Sequence, residues 1–285
     1  MCDQDYFEKD RLEYEARGLI TRRQFGVLVA AGVSMMLPEV ANAQQTSEKD
    51  VVIKTPDGSA DAYFVYPSTG SAAAVLIWPD IFGLRPAMRT MGKRLASSGY
   101  SVLVVNPFYR VGKPTATGAT PIPEMMPFRK GMNQMTDMTD AKAFIAWLDA
   151  QPQVNKNRKI GTQGYCMGGP MAFNTASAMP DRVGAVASFH GGGLVGKEGD
   201  TNSPHLLASK TKASFLIAIA ESDDKQRPME KDVLKQTFMT ANRPAEIEVY
   251  PAAHGWCPPD TTVYSEPQAE KAWARLLELY KKALA

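Results

Sequence analysis

Three cysteines and three histidines in 285 residues are few. Cys2, Cys166 and Cys257 cannot build a disulfide framework. No His, Cys and carboxylate residues cluster at ligand spacing, so neither a metal nor an organic cofactor is implied. Net charge is also scarce: 32 Lys and Arg stand against 30 Asp and Glu. So small an excess recruits neither nucleic acid nor an anionic membrane surface. No repeat of fixed period runs through the chain. Near the N-terminus an apolar run, Gly26–Leu37, has 12 residues, whereas a bilayer-spanning helix needs about 20.

That short run has a specific context. Arg22-Arg23 precede it and Ala41-Asn42-Ala43 follow it. Basic residues, a short apolar stretch and a small-x-small site, in that order, make a signal peptide. The paired arginines resemble a twin-arginine export signal. Residues 1–43 are therefore expected to be a removable leader, cut after Ala43. Residues 44–285 then form one domain of ordinary size, periplasmic and with no stable membrane anchor after cleavage. The sequence does not specify an oligomeric state.

The rest of the chain alternates apolar, β-rich runs with helical stretches. Val51–Lys54 and Ala62–Tyr66 flank Asp57-Gly58, a hairpin signal. Ala73–Trp78, Ser101–Val105, Lys159–Thr162, Val183–Phe189, Ser214–Ala220 and Ile247–Tyr250 follow. The later runs show little period-two alternation, as strands buried on both faces do. Met135, Met138, Ala141, Ile145 and Leu148 mark one face of a helix, and Trp273, Leu276, Leu277 and Tyr280 mark another. This alternation predicts a doubly wound, mostly parallel sheet with helices on both faces. The stretch from Tyr109 to Phe128 is long and rich in Pro, Thr and Gly, as lids and binding loops are.

Within that frame Gly164-Tyr165-Cys166-Met167-Gly168-Gly169 follows a strand and precedes a helix. This is the arrangement of the G-x-S-x-G nucleophile elbow, with cysteine in place of serine. Glycines two before and two after the nucleophile allow a sharp turn. The helix that follows points its amides at the thiol and favours the thiolate. A nucleophile needs a base, and the base an orienting group. In the order nucleophile, acid, histidine, the acid lies in Glu221-Ser222-Asp223-Asp224 and the base is His254. Both segments follow strand ends, where open α/β sheets place ligands. Asp223 and Asp224 both remain candidates for the acid. His190 also follows a strand but precedes the acid, so it reads as structural or pocket-lining; His205 has no assigned role. The oxyanion donors are expected at the amides of Met167, after the nucleophile, and of Ile81, in the loop after an early strand.

These segments, together with Trp78-Pro79-Asp80-Ile81-Phe82-Gly83 and Ala253-His254-Gly255, resemble dienelactone hydrolase from about Val51 to Ala285. The resemblance implies an α/β-hydrolase fold and a triad of Cys166, His254 and Asp223. It implies hydrolysis of a small lactone or carboxylic ester through an acyl-enzyme. It also places Asp80 beside the nucleophile, where the family carries a glutamate one methylene longer. The family holds a substrate carboxylate with arginines, one of them four residues after the histidine. That position is Pro258 here, which has neither charge nor N–H. Arg85, Arg110 and Arg129 are the candidates to replace it, and Trp256 is a candidate apolar wall. A preference for neutral lactones and esters is expected. The competing readings are a general carboxylesterase or thioesterase, a thiol redox protein using Cys166 and Cys257, and a non-catalytic binding module.

Overall fold

The computed structural model describes residues 4–21 and 37–285. Arg22-Arg23 and all but the last residue of the apolar run Gly26–Leu37 lie outside the described residues. Eight strands form one sheet: β1 (Thr46–Thr55), β2 (Gly58–Pro67), β3 (Ala74–Trp78), β4 (Ser101–Val105), β5 (Ile160–Tyr165), β6 (Val183–Phe189), β7 (Ser214–Ala220) and β8 (Ala245–Tyr250). Their spatial order is β1-β2-β4-β3-β5-β6-β7-β8. The β1–β2 hairpin pairs Thr55 with Gly58, so its turn is Pro56-Asp57. β2 also runs antiparallel to β4, and every later pairing is parallel. The doubly wound sheet expected from the alternating pattern is present.

Side chains of successive strand residues point to opposite faces, and both faces are covered. Leu76, Trp78 and Phe215 pack with Phe144 and Phe173 on one face, under helices α4 (Gln134–Asp149) and α5 (Gly168–Ala178). Val75, Ile77 and Leu216 pack with Leu95 and Leu276 on the other, under α2 (Pro86–Ser97) and α8 (Glu266–Ala283). Every residue of β3 and β4 is buried, which is why those runs are apolar but for Ser101, whose Oγ donates to the Gln153 carbonyl. Each such Val, Leu or Phe contributes roughly 1.5–3 kcal/mol by leaving water. In α4 the expected apolar face is shifted. Met135 is 72% exposed, because Asn133 caps the helix there and its first turn overhangs solvent. The buried face is Asp137, Ala141, Phe144, Ile145 and Leu148.

The long stretch after β4 is tied down. It carries a short helix, α3 (Ile122–Met125), and buries Ala116, Ile122 and Met125. The Gly118 amide donates to Asp260 Oδ2 at 2.9 Å. A Cβ at Gly118 would meet the Asp260 carbonyl oxygen at 2.6 Å, so only glycine fits that approach.

Residues expected to belong to a leader also fold onto the domain. Gln4–Ala16 form helix α1. Tyr14 is buried against Ala253 and Val263, and Phe7 joins the same cluster. Arg17 grips Glu221 with two hydrogen bonds of 3.1 and 2.9 Å, and Lys225 reaches Glu13 at 2.7 Å. Partly exposed pairs of this kind contribute about 0–1 kcal/mol each. The apolar contacts of Phe7 and Tyr14 are therefore the main hold on α1.

Candidate active site

Cys166 sits between the end of β5 and the start of α5 with a φ of 51°. A left-handed residue with a Cβ costs roughly 1–3 kcal/mol and persists only where its surroundings hold it. Here its N–H donates to Phe189 O at 3.1 Å, and its carbonyl accepts from Gly169 and Gly192. The flanking glycines have no space for a side chain. A Cβ at Gly164 would lie 1.9 Å from Gly168 O, and one at Gly168 would lie 2.3 Å from Trp78 O.

Three side chains from three loops converge on this turn. His254 Nε2 lies 3.0 Å from Cys166 Sγ, and His254 Nδ1 lies 2.8 Å from Asp223 Oδ2. Asp223 belongs to the first turn of α6 (Glu221–Gln226), directly after β7. Its neighbour Asp224 turns to Lys231 instead, with contacts of 2.7 and 2.9 Å. The His254 backbone N–H donates to Ser222 Oγ at 2.9 Å, which fixes the histidine loop to α6.

Cys166, His254 and Asp223 open into one cavity that Asp80, Ile81, Phe82 and Ile122 also line. Ile81 reaches it from the loop after β3, and Met167 directly follows Cys166. Among the described residues, neither amide donates to a protein acceptor.

Asp80 departs from the role that the resemblance implies. It lines the cavity, yet both its oxygens are held by Arg85 at 2.6 and 2.9 Å, and Oδ1 also accepts the Phe82 amide. Arg85 grips Asp260 in the same bidentate way, at 2.6 and 2.8 Å. All three side chains are almost wholly buried. Burial pushes the Asp80 carboxyl up, while the Arg85 charge opposes that shift. The short Asp80 side chain thus anchors the loop after β3 to Arg85.

The other candidates for a carboxylate clamp are placed as follows. Arg85 is sequestered as described, and Arg110 pairs with Asp57 and Asp140. Arg129 is exposed and does not line the cavity. Pro258 is buried. Trp256 is fully buried and stacks on Tyr250 at 4.9 Å, so it belongs to the core.

His190 takes the pocket-lining one of the two places its sequence position left open, and three residues of α1 that the sequence did not mark join it. His190 lines the cavity, fully buried, with its ring 5.2 Å from that of His254. Burial, and then the neighbouring His254, hold it well below the usual histidine range, so it is neutral. Asp10, Tyr6 and Phe7 of α1 line the same cavity. The Asp10 carboxyl is raised chiefly by burial, and the nearby Ser222 side chain opposes that shift. Residues 1–18 lack any motif that would have marked them as part of a site.

Cys257 is elsewhere. It packs on the α2 and α8 face of the sheet, whereas Cys166 packs on the α4 and α5 face. Burial pushes the Cys257 thiol well above its ordinary range, which disfavours a reactive thiolate.

The sequence profile of the dienelactone hydrolase family matches residues 60–284, nearly the whole domain. The chain belongs to the dienelactone hydrolase family. Among curated relatives, a carboxymethylenebutenolidase of Rhodococcus opacus is 27% identical over 219 residues, which are 76% of this chain and 83% of that protein. Among solved structures, the dienelactone hydrolase-like promiscuous phosphotriesterase P91 from metagenomic libraries superposes with a TM-score of 0.70 at 18% identity. The match covers 84% of this chain and 99% of that one. A dienelactone hydrolase from Anabaena variabilis gives 0.54 at 20% identity, covering 85% and 100%. At such identities the structural likeness establishes the α/β-hydrolase fold of the dienelactone hydrolase family.

Proposed function

We propose that this dienelactone hydrolase family member cleaves a neutral lactone or small carboxylic ester through a thioester on Cys166. The observation that carries the reading is the unbroken chain of contacts from Sγ through His254 to Asp223, at a strained residue facing a cavity. The Cys166 thiolate attacks the carbonyl carbon, a C–S bond forms, and the carbonyl pair moves to oxygen. The Ile81 and Met167 amides hold that oxyanion; one such donor typically supplies about 10²–10³ in rate. Collapse expels the alcohol oxygen, which takes the proton held on His254. His254 then deprotonates a water that attacks the thioester, and the acid and the free thiol are regenerated. Asp223 keeps the His254 tautomer that presents Nε2 to sulfur.

The charge lining the cavity supports a neutral substrate. Asp10, Asp80 and Asp223 line it, and among the described residues no Lys or Arg does. Burial already holds Asp10 and Asp80 above the ordinary carboxylate range, and a bound anion would add repulsion with no cation to offset it. The test is hydrolysis of a panel of lactones and aryl esters by the purified chain. Turnover by the wild type that Cys166→Ala abolishes supports the reading; a panel left intact by the wild type contradicts it.

We also propose export to the periplasm, with a cut after Ala43. Ala41-Asn42-Ala43 form an exposed turn just before β1, so a peptidase could reach them without breaking the sheet. N-terminal sequencing of the periplasmic protein should then begin at Gln44. A periplasmic protein whose N-terminus lies upstream of Gln44 would contradict the proposal.

A further inference from the structure

The cavity at Cys166 is small, about 40 Å³. A water needs roughly 10–15 Å³ by this measure, so it holds about three waters, whereas small-molecule sites usually span ~300–1,000 Å³. Directly beside it lies an open groove of about 790 Å³ whose lining sets Val195, Pro228 and Met229 beside the charged Lys197, Arg227 and Glu230. Tyr6 and Gln226 line both spaces. Helix α1 therefore stands between Cys166 and this adjoining groove.

The contacts of α1 suit that position. Phe7 reaches to within 3.7 Å of where a side chain on Gly255 would begin, next to His254. Asp10 lines the cavity with His254 and lies near Ser222, whose Oγ receives the His254 amide. Tyr14 buries itself against Ala253, on the other side of the histidine. The helix thus covers the site while gripping the loop that carries the base.

We propose that α1 is a wall setting the size of acyl group the site accepts, with Tyr6 and Phe7 closing the passage from Cys166 to the groove. This rests on the ester hydrolase reading for its substrate, but the closure itself concerns only access to a thiol. With α1 docked, the chain takes short acyl groups. With α1 displaced, cavity and groove join, and a medium-length acyl chain can lie over Val195, Pro228 and Met229. The cut proposed after Ala43 would leave α1 held by non-covalent contacts alone, so removal of the leader would widen the substrate range.

The experiment is thiol labelling of the full chain, read at the Cys166 peptide by mass spectrometry so that Cys2 and Cys257 are distinguished. Iodoacetamide is the small reagent and N-pyrenylmaleimide the bulky one. Two variants are compared with the wild type: Tyr6→Ala/Phe7→Ala, which trims the wall, and Tyr14→Ala, which undocks it. Circular dichroism confirms that each is folded. Because the bulky reagent must wait for α1 to open in the wild type, its rate relative to iodoacetamide should rise at least about tenfold in both variants. Hydrolysis of p-nitrophenyl octanoate relative to the acetate should rise with it. An unchanged labelling ratio in both variants overturns the proposal. A raised ratio with no ester hydrolysed by any form would uphold the wall and sink the hydrolase reading instead.

Discussion

Asp223 Oδ2 lies 2.8 Å from His254 Nδ1, while the adjacent Asp224 is turned away onto Lys231. Adjacent residues in the first turn of a helix point about 100° apart, so only one of the pair can face the histidine. Asp223→Asn should therefore lower kcat strongly, by up to about 10⁴ if the tautomer argument from serine proteases carries over. Asp224→Asn should have a mild effect. Steady-state kinetics on an activated ester compares the two. A large loss in Asp224→Asn with Asp223→Asn near wild type would reverse the assignment.

The charge of the substrate offers a second test. With Pro258 at the position of the family's clamp and Arg85 and Arg110 already paired, a substrate carboxylate meets no Lys or Arg among the described residues that line the cavity. A charge-assisted contact is worth about 1.5–3 kcal/mol, or roughly tenfold to a hundredfold in binding. The value of kcat/KM for a neutral lactone should exceed that for cis-dienelactone. A hundredfold preference for the anion would contradict this and place one of the arginines in the site.

A third prediction concerns stability and pH. Asp137, buried in α4 and accepting from Asn174 Nδ2 at 2.9 Å, is pushed up to about 7, chiefly by burial. The folded protein then keeps a proton that the unfolded chain releases near the ordinary value of 3.8. The native state binds more protons in that window, so stability from this group is full below about pH 4 and falls as pH rises toward 7. The fall amounts to at most about 4 kcal/mol. Asp137→Asn keeps the acceptor without the charge, so it should gain most in Tm over wild type above pH 7 and little at pH 4. An equal Tm difference at both pH values would contradict the assignment.

Much of this was legible in the sequence, for identifiable reasons. The strands β4, β6 and β7 fall where their apolar runs are, because strands buried on both faces carry no charged residue and only one small serine each. The elbow was legible because its glycines answer a steric demand that no other residue meets. What escaped depends on contacts between distant segments. Nothing around Asp80 foretells its bond to Arg85, since the pairing also needs Asp260 from the far end of the chain. Trp256 reads as a pocket wall or as core until Tyr250 is seen stacked on it. Helix α1 is mostly polar, and its hold comes from Phe7 and Tyr14, whose partners follow β8. No local pattern could report it.

The central claim is a covalent thioester on Cys166, and intact-mass and peptide mass spectrometry of rapidly quenched enzyme tests it most directly. Mixed with excess p-nitrophenyl acetate, the protein should carry one acetyl group on the peptide containing Cys166, labile to hydroxylamine. The adduct should be absent from Cys166→Ala and unaffected by Cys257→Ala. Sustained ester turnover by Cys166→Ala, with no acyl group ever found at that position, would contradict the account.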